Sequence, residues 1–241
     1  MTVPPAEQPP RAPVVVALDG PGGSGKSSVA RRLAAALGAG YLDTGAMYRA
    51  VTWAVLQAGI DPQDAAAVTA RVLTAELRSG TDPTAPTITL DGADVSTEIR
   101  SEPVTLAVSA VSAVPEVRAH LVAAQRAAIA GAGTPVVVVE GRDIASVVCP
   151  DAAVKIFLTA SPEVRAARRA GQTGQSAPEQ VDATLADLHR RDTHDSGRAV
   201  APLLRTDDAV LLDTSELDLA RSVAATLEIC AAAGVRPAVR S

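Results

Sequence analysis

Short runs of apolar, largely β-branched residues alternate along this chain with stretches whose apolar positions recur every three or four residues. The runs at 14–18, 136–139 and 154–158 predict strands, as do shorter pieces at 41–43 and 210–212. Residues 136–139 are all valine, which fits a strand buried on both faces rather than one that alternates between core and water. Helical spacing of Val29, Leu33 and Leu37 predicts a helix over 27–37, and that of Met47, Val51 and Val55 another over 45–57. Asp61-Pro62 supplies a cap and a first-turn proline for a helix reaching Leu77. The period then drops to two, and 87–90 and 93–95 predict a small hairpin around the Asp91-Gly92 turn. Helices are expected at 102–112 and 115–129, and again after Ser161-Pro162-Glu163. Ser176-Ala177-Pro178-Glu179 has the form of a capping box for a further helix ending near Arg191. Leu219, Val223, Leu227 and Cys230 mark one face of a closing helix.

Strands that alternate with helices predict an α/β domain with a parallel sheet covered on both sides. The 241 residues suit one large domain, and no internal repeat divides them. We read 14–233 as that domain, 1–13 as a flexible tail rich in proline, and 234–241 as a loose C-terminus. With 47% hydrophobic and 20% charged residues and a mean hydropathy of +0.18, the composition excludes disordered and collagen-like chains. No apolar run approaches the roughly 18 residues that cross a bilayer, so no membrane is expected. A net charge of −5 gives no overall field to attract a nucleic-acid polymer. Cys149 and Cys230 lack metal-like spacing and read as two buried thiols in a reducing, cytoplasmic setting.

The loop after the first strand narrows the chemistry. Gly20-Pro21-Gly22-Gly23-Ser24-Gly25-Lys26-Ser27 matches G-x-x-x-x-G-K-[ST] and sits between a predicted strand and a predicted helix, as that motif requires. Glycines let backbone N–H groups converge on phosphate, and the following helix adds its positive end. Lys26 reaches the outer phosphates, the Ser27 hydroxyl suits Mg²⁺, and Ser28 extends the nucleotide-binding stretch. Only two of the 22 Lys and Arg residues are lysine, and one fills the demanded slot, which weighs against an incidental glycine-rich turn. The chain contains no asparagine, so the Asn-Lys-x-Asp guanine signature is absent. A Leu-Ser-Gly-Gly-Gln transporter signature is missing too.

A second constellation lies downstream. Thr44 and Arg49 bracket the start of a helix and suit one anion, although Arg49 alone also reads as a solvated arginine. Glu140-Gly141-Arg142-Asp143 follows the valine strand, at the end where open α/β sheets bind ligands. Glu140 there suits a water of a magnesium shell. Arg191, Asp192, Asp195 and Arg198 concentrate charge beyond a helix end. Arg165 and Arg169 are further candidates for donor phosphates.

The strings GPGGSGKSS, LDTGAMYRA, DVSTEIRSEPV, SAVSAVPEVR, EGRDIASVVCPDAAVKIFL and RRDTHDSGRAVAPL together resemble the bacterial cytidylate kinase family over about 14–230. The resemblance implies a three-layer, phosphate-loop nucleoside triphosphate hydrolase-like fold, with a monophosphate-binding insertion at about 60–115 and a helical lid at about 161–200. It implies ATP as donor, with Mg²⁺, and CMP or dCMP as acceptor, in a monomer. Carried over by position, it implies Thr44, Arg49, Arg142, Arg191 and Arg198 around the acceptor and the transferring group, with Lys26, Arg142, Arg191 and Arg198 catalytic. Ser109, Arg118 and Asp143 would read cytosine, and Asp195 the ribose. A carboxylate accepts from the N4 amino group that uracil lacks, which gives that assignment physical sense. Two positions depart from the family pattern: Ala145-Ser146 stands where Gly-Thr is usual, and Glu140 where aspartate is common. A UMP/CMP or other small-molecule kinase, and a module that holds ATP without transferring it, are the rival expectations.

Overall fold

In the computed structural model, which describes residues 12–173, 178–197 and 203–237, five strands run parallel through the middle of the chain. Within those ranges every side chain is described except those of 172, 173, 178, 179, 191 and 194–196. The strands are β1 (Val14–Asp19), β2 (Gly40–Asp43), β6 (Val136–Gly141), β7 (Val154–Thr159) and β8 (Val210–Asp213), in the order β2-β6-β1-β7-β8. β1 lies between β6 and β7, paired Val16 to Val138 on one side and Val16 to Val154 on the other.

Both faces are covered, which explains the valine run. Val16, Leu18, Val138, Ile156 and Leu158 pack against α1 (Lys26–Leu37) and α8 (Leu219–Ala232). Ala17, Leu42, Val137 and Val139 pack on the opposite face against α2 (Thr44–Gln57) and α5 (Pro115–Ala130). Adjacent valines therefore serve different layers, and each fully buried one contributes on the order of 1.5–3 kcal/mol. The expected α/β architecture with a covered parallel sheet is present.

A second apolar cluster joins α2 to α3 (Ala65–Leu73), α4 (Glu102–Ala113) and α5 through Val51, Val55, Val68, Val72, Val111 and Leu121. Beside it, β3 (Leu77–Ser79), β4 (Ile88–Leu90) and β5 (Ala93–Asp94) form a small antiparallel sheet. Its β4–β5 turn has φ +50° at Asp91 and +82° at Gly92, the two positive angles that an Asp-Gly hairpin supplies.

Four boundaries differ from expectation. The helix expected from Asp61 to Leu77 begins at Ala65, because Asp61 folds a turn that receives the Gln63 and Asp64 amides while Asp64 caps the helix through Ala67. It ends at Leu73, since Leu77 is taken into the sheet opposite Leu90. After β7 come α6 (Pro162–Thr173) and α7 (Pro178–Gly197), so the charged stretch 191–197 lies on helix and not beyond its end. At the C-terminus, expected loose from 234, Val235 is buried against the α1 and α8 layer and its amide reaches the Cys230 carbonyl at 2.8 Å. The tail expectation falls mostly on 1–11, and the capping box at 176–179 partly on 174–177, both outside the described residues.

Candidate active site

The carboxyl ends of β1, β2 and β6 converge on an open cleft of about 730 Å³. The glycine loop forms one wall. Gly20 has φ +149°, and a Cβ there would lie 2.0 Å from the Leu158 carbonyl oxygen. Gly23 has φ +74° and an Arg165 carbonyl 2.7 Å from the same notional atom. These contacts explain two glycines by room as well as by angle. Gly22, Gly23, Gly25, Lys26, Ser27 and Ser28 face the cleft, whereas Gly20, Pro21 and Ser24 shape the loop from behind.

Lys26 is buried and donates to the Pro21 carbonyl at 2.7 Å and to Ser24 Oγ at 3.5 Å. Burial, and then the neighbouring Arg142 guanidinium, hold its pKa well below the lysine range. Glu140, 3% exposed, is shifted the other way, first by burial and then by the Asp43 carboxylate. Its Oε2 accepts from Ser27 Oγ at 3.0 Å, and its Oε1 accepts from the Tyr41 hydroxyl. Burial and the Glu140 charge push the Tyr41 pKa up, so that hydroxyl stays a donor. Among the described residues no group of three His, Cys, Asp or Glu side chains gathers around a point. A serine hydroxyl beside one carboxylate is nonetheless a hard-oxygen set that fits Mg²⁺, which keeps waters and phosphate oxygens in its shell.

Asp43, Arg49, Ser96, Arg100 and Arg142 also line the cleft. Arg49 Nη1 donates to Thr105 Oγ1 at 2.9 Å and to the Ile99 carbonyl at 3.3 Å. Arg142 lies against the loop, 3.7 Å from where a Gly22 Cβ would stand. Thr44 does not open to the cleft: it is 2% exposed and its hydroxyl donates to the Glu140 carbonyl at 2.7 Å, tying α2 to β6. Of the three expected base readers, Arg118 and Asp143 are brought together, each 4% exposed, in a direct ion pair behind the cleft. Arg118 also donates to the Ser112 carbonyl at 3.2 Å and lies 5.4 Å from the Tyr48 ring centre. Ser109 sits half-buried on α4, its carbonyl taken by Ser112 Oγ at 3.1 Å. The Arg191 and Asp195 side chains and all of Arg198 lie outside the described residues.

The structure adds residues that sequence reasoning missed. Arg100 lines the cleft from a 3₁₀ turn, Glu98–Arg100, inside one of the recognised strings. Arg165 turns away from the cleft, donating to the Gly22 carbonyl at 3.0 Å and to Asp192 Oδ2 at 2.6 Å. Arg168, not singled out before, donates to the carbonyls of Ser24, Thr214 and Leu217, while Arg169 lines the cleft. Together these contacts dock α6 on the phosphate loop. A phosphate loop at the switch end of a parallel sheet, faced by arginines across one cleft, defines a phosphate-loop kinase.

Residues 16–232 match the family described as cytidylate kinase. Curated cytidylate kinases are similar over nearly their whole length. That of Nocardia farcinica is 59% identical over 208 residues, covering 86% of this chain and 89% of the relative. The Streptomyces griseus protein is 55% identical over 212 residues, covering 87% and 89%, and the Mycobacterium leprae protein 55% over 217 residues, covering 90% and 95%. The chain belongs to the cytidylate kinase family.

Proposed function

We propose that this chain transfers the γ-phosphoryl group of ATP to CMP and dCMP, giving CDP and dCDP, as a monomeric enzyme acting on small molecules. The observation that carries the reading is one cleft lined both by the Lys26 loop and by Arg49, Arg100 and Arg142. Phosphoryl transfer passes through a loose, highly charged transition state, so the work is alignment and charge neutralisation rather than covalent chemistry.

In this reading the amides of 22–27 hold the donor phosphates, and Lys26 leaves its Pro21 contact to meet them. Arg142, beside Gly22 of the loop, neutralises the group in transit. Ser27 and Glu140 hold Mg²⁺, Glu140 through water; bound there, the ion neutralises charge on the phosphate oxygens. Arg49 and Arg100 hold the acceptor phosphate, and Thr44 keeps the β6 end and α2 in register beside it. Asp143 accepts from the cytosine N4 amino group, Arg118 and Ser109 donate to O2 and N3, and base entry exchanges part of the Arg118–Asp143 pairing for these bonds. The family pattern supplies Arg191 and Arg198 for transfer and Asp195 for the ribose. Exclusion of water by the α6 and α7 lid limits ATP hydrolysis. No single helix among the described residues is long and apolar enough to cross a membrane. The reading sets the enzyme in the cytoplasm, where ATP and CMP meet.

The test is a panel of CMP, dCMP, UMP, AMP and shikimate with Mg²⁺ and ATP, following ADP release and identifying the product. CDP and dCDP as the main products support the reading. ATP binding without product, or preference for another acceptor, overturns it.

A further inference from the structure

Asp19 is the last residue of β1, directly before Gly20, and is 2% exposed. Both of its oxygens are used: Oδ1 accepts from the Ile144 amide at 2.9 Å and Oδ2 from the Ala145 amide at 2.8 Å. These amides open the single π turn Ile144–Val148, whose preceding residue is Asp143. The first amides of a helical turn have no partner within it and are ordinarily capped by the residue just before them, with aspartate among the best. Here Asp143 makes no side-chain cap bond, although it stands in the capping position. The cap comes instead from a strand 125 residues earlier in the chain, and the Asp143 carboxylate pairs with Arg118. Arg126 holds the other end of the turn through the Val147 and Val148 carbonyls, at 2.7 and 2.9 Å. Ala145 takes part without a left-handed angle, so it fits where the family pattern has glycine.

We propose that Asp19 is a positioning residue for base selection: by capping the 144–148 turn from β1 it keeps Asp143 from capping that turn itself, and so directs the Asp143 carboxylate to the base. The inference rests on the reading of Asp143 as the cytosine acceptor.

Asp19→Asn keeps the size but leaves one oxygen for two amides, inviting Asp143 to cap its own turn. The expected result is a loss of CMP-over-UMP preference in kcat/KM of roughly tenfold, arising in the KM for CMP, with the KM for ATP within about twofold of wild type. An unchanged preference, with or without a raised KM for ATP, overturns the proposal, because Asp19 would then serve the phosphate loop or the fold alone. A wild-type enzyme with no preference for CMP overturns the base-site reading itself and the proposal with it. Should the variant not fold, amide exchange on the wild-type chain decides: Ile144 and Ala145 should exchange slowly and slow at least threefold further with CMP but not with UMP, whereas an equal response to both overturns the proposal.

Discussion

The proposed donor side takes its cradle mostly from the backbone of one stretch, 20–28, whereas the proposed acceptor side draws Arg49 and Arg100 in the cleft and Arg118 behind it from three separate stretches of chain. The first is held by its own dihedral angles and by the carbonyls of Leu158 and Arg165 pressed against its glycines. The second depends on the apolar cluster that packs α3, α4 and α5 on α2. The geometry of the loop, and of Arg142 just after β6, therefore follows the central sheet, while that of Arg49 and Arg118 follows the helical layer. In the proposed function the two substrate sites would respond largely to different parts of the core.

The strongest challenge to that division is Arg118→Met. It removes the buried cation that pairs with the Asp143 carboxylate where both partners are almost fully covered, so unfolding in urea should show a loss of roughly 3–5 kcal/mol. The double variant Arg118→Met/Asp143→Leu should recover most of that stability. If it does not, the two sites share more of the core than the packing indicates. Next, Lys26→Ala should lower kcat at least about a hundredfold in an ADP-coupled assay, as loss of one preorganised charged donor does, with the KM for CMP little changed. A parallel rise in that KM would break the separation of the walls. Asp143→Asn should cut the CMP-over-UMP ratio of kcat/KM by at least about tenfold while ATP binding, measured by calorimetry, is unaffected. The smallest effect belongs to Arg71→Ala on α3, whose partly exposed pair with Asp91 should contribute no more than about 0.5 kcal/mol to urea stability and nothing to either KM.

Legibility in the sequence followed the same line. The phosphate loop could be read because its motif is one contiguous string, and the valine strand because cover on both faces leaves no polar position to disguise it. Tyr41 and Asp19 could not be read, since their partners lie 99 and at least 125 residues away. The end of α3 was misjudged for a similar reason: Leu77 has helical spacing with its predecessors, but pairing with Leu90 decides its conformation. Arg100 lay inside a recognised string, yet nothing local distinguishes it from the other arginines of an arginine-rich chain. The base readers came from resemblance to a family, and the fold brings Arg118 and Asp143 together by packing that no short window of sequence contains.

The 2.0 Å gap between Leu158 oxygen and the place of a Gly20 Cβ also limits how this enzyme can be altered. The obstructing atom is part of a strand ladder, so no rotamer change on a neighbour can make way. A saturation library at codon 20 should return glycine alone among active clones, whereas codon 171, with open space around it, should accept alanine freely. Diversification aimed at new nucleotide donors would accordingly have to begin in α6 and α7 and leave the loop's root untouched.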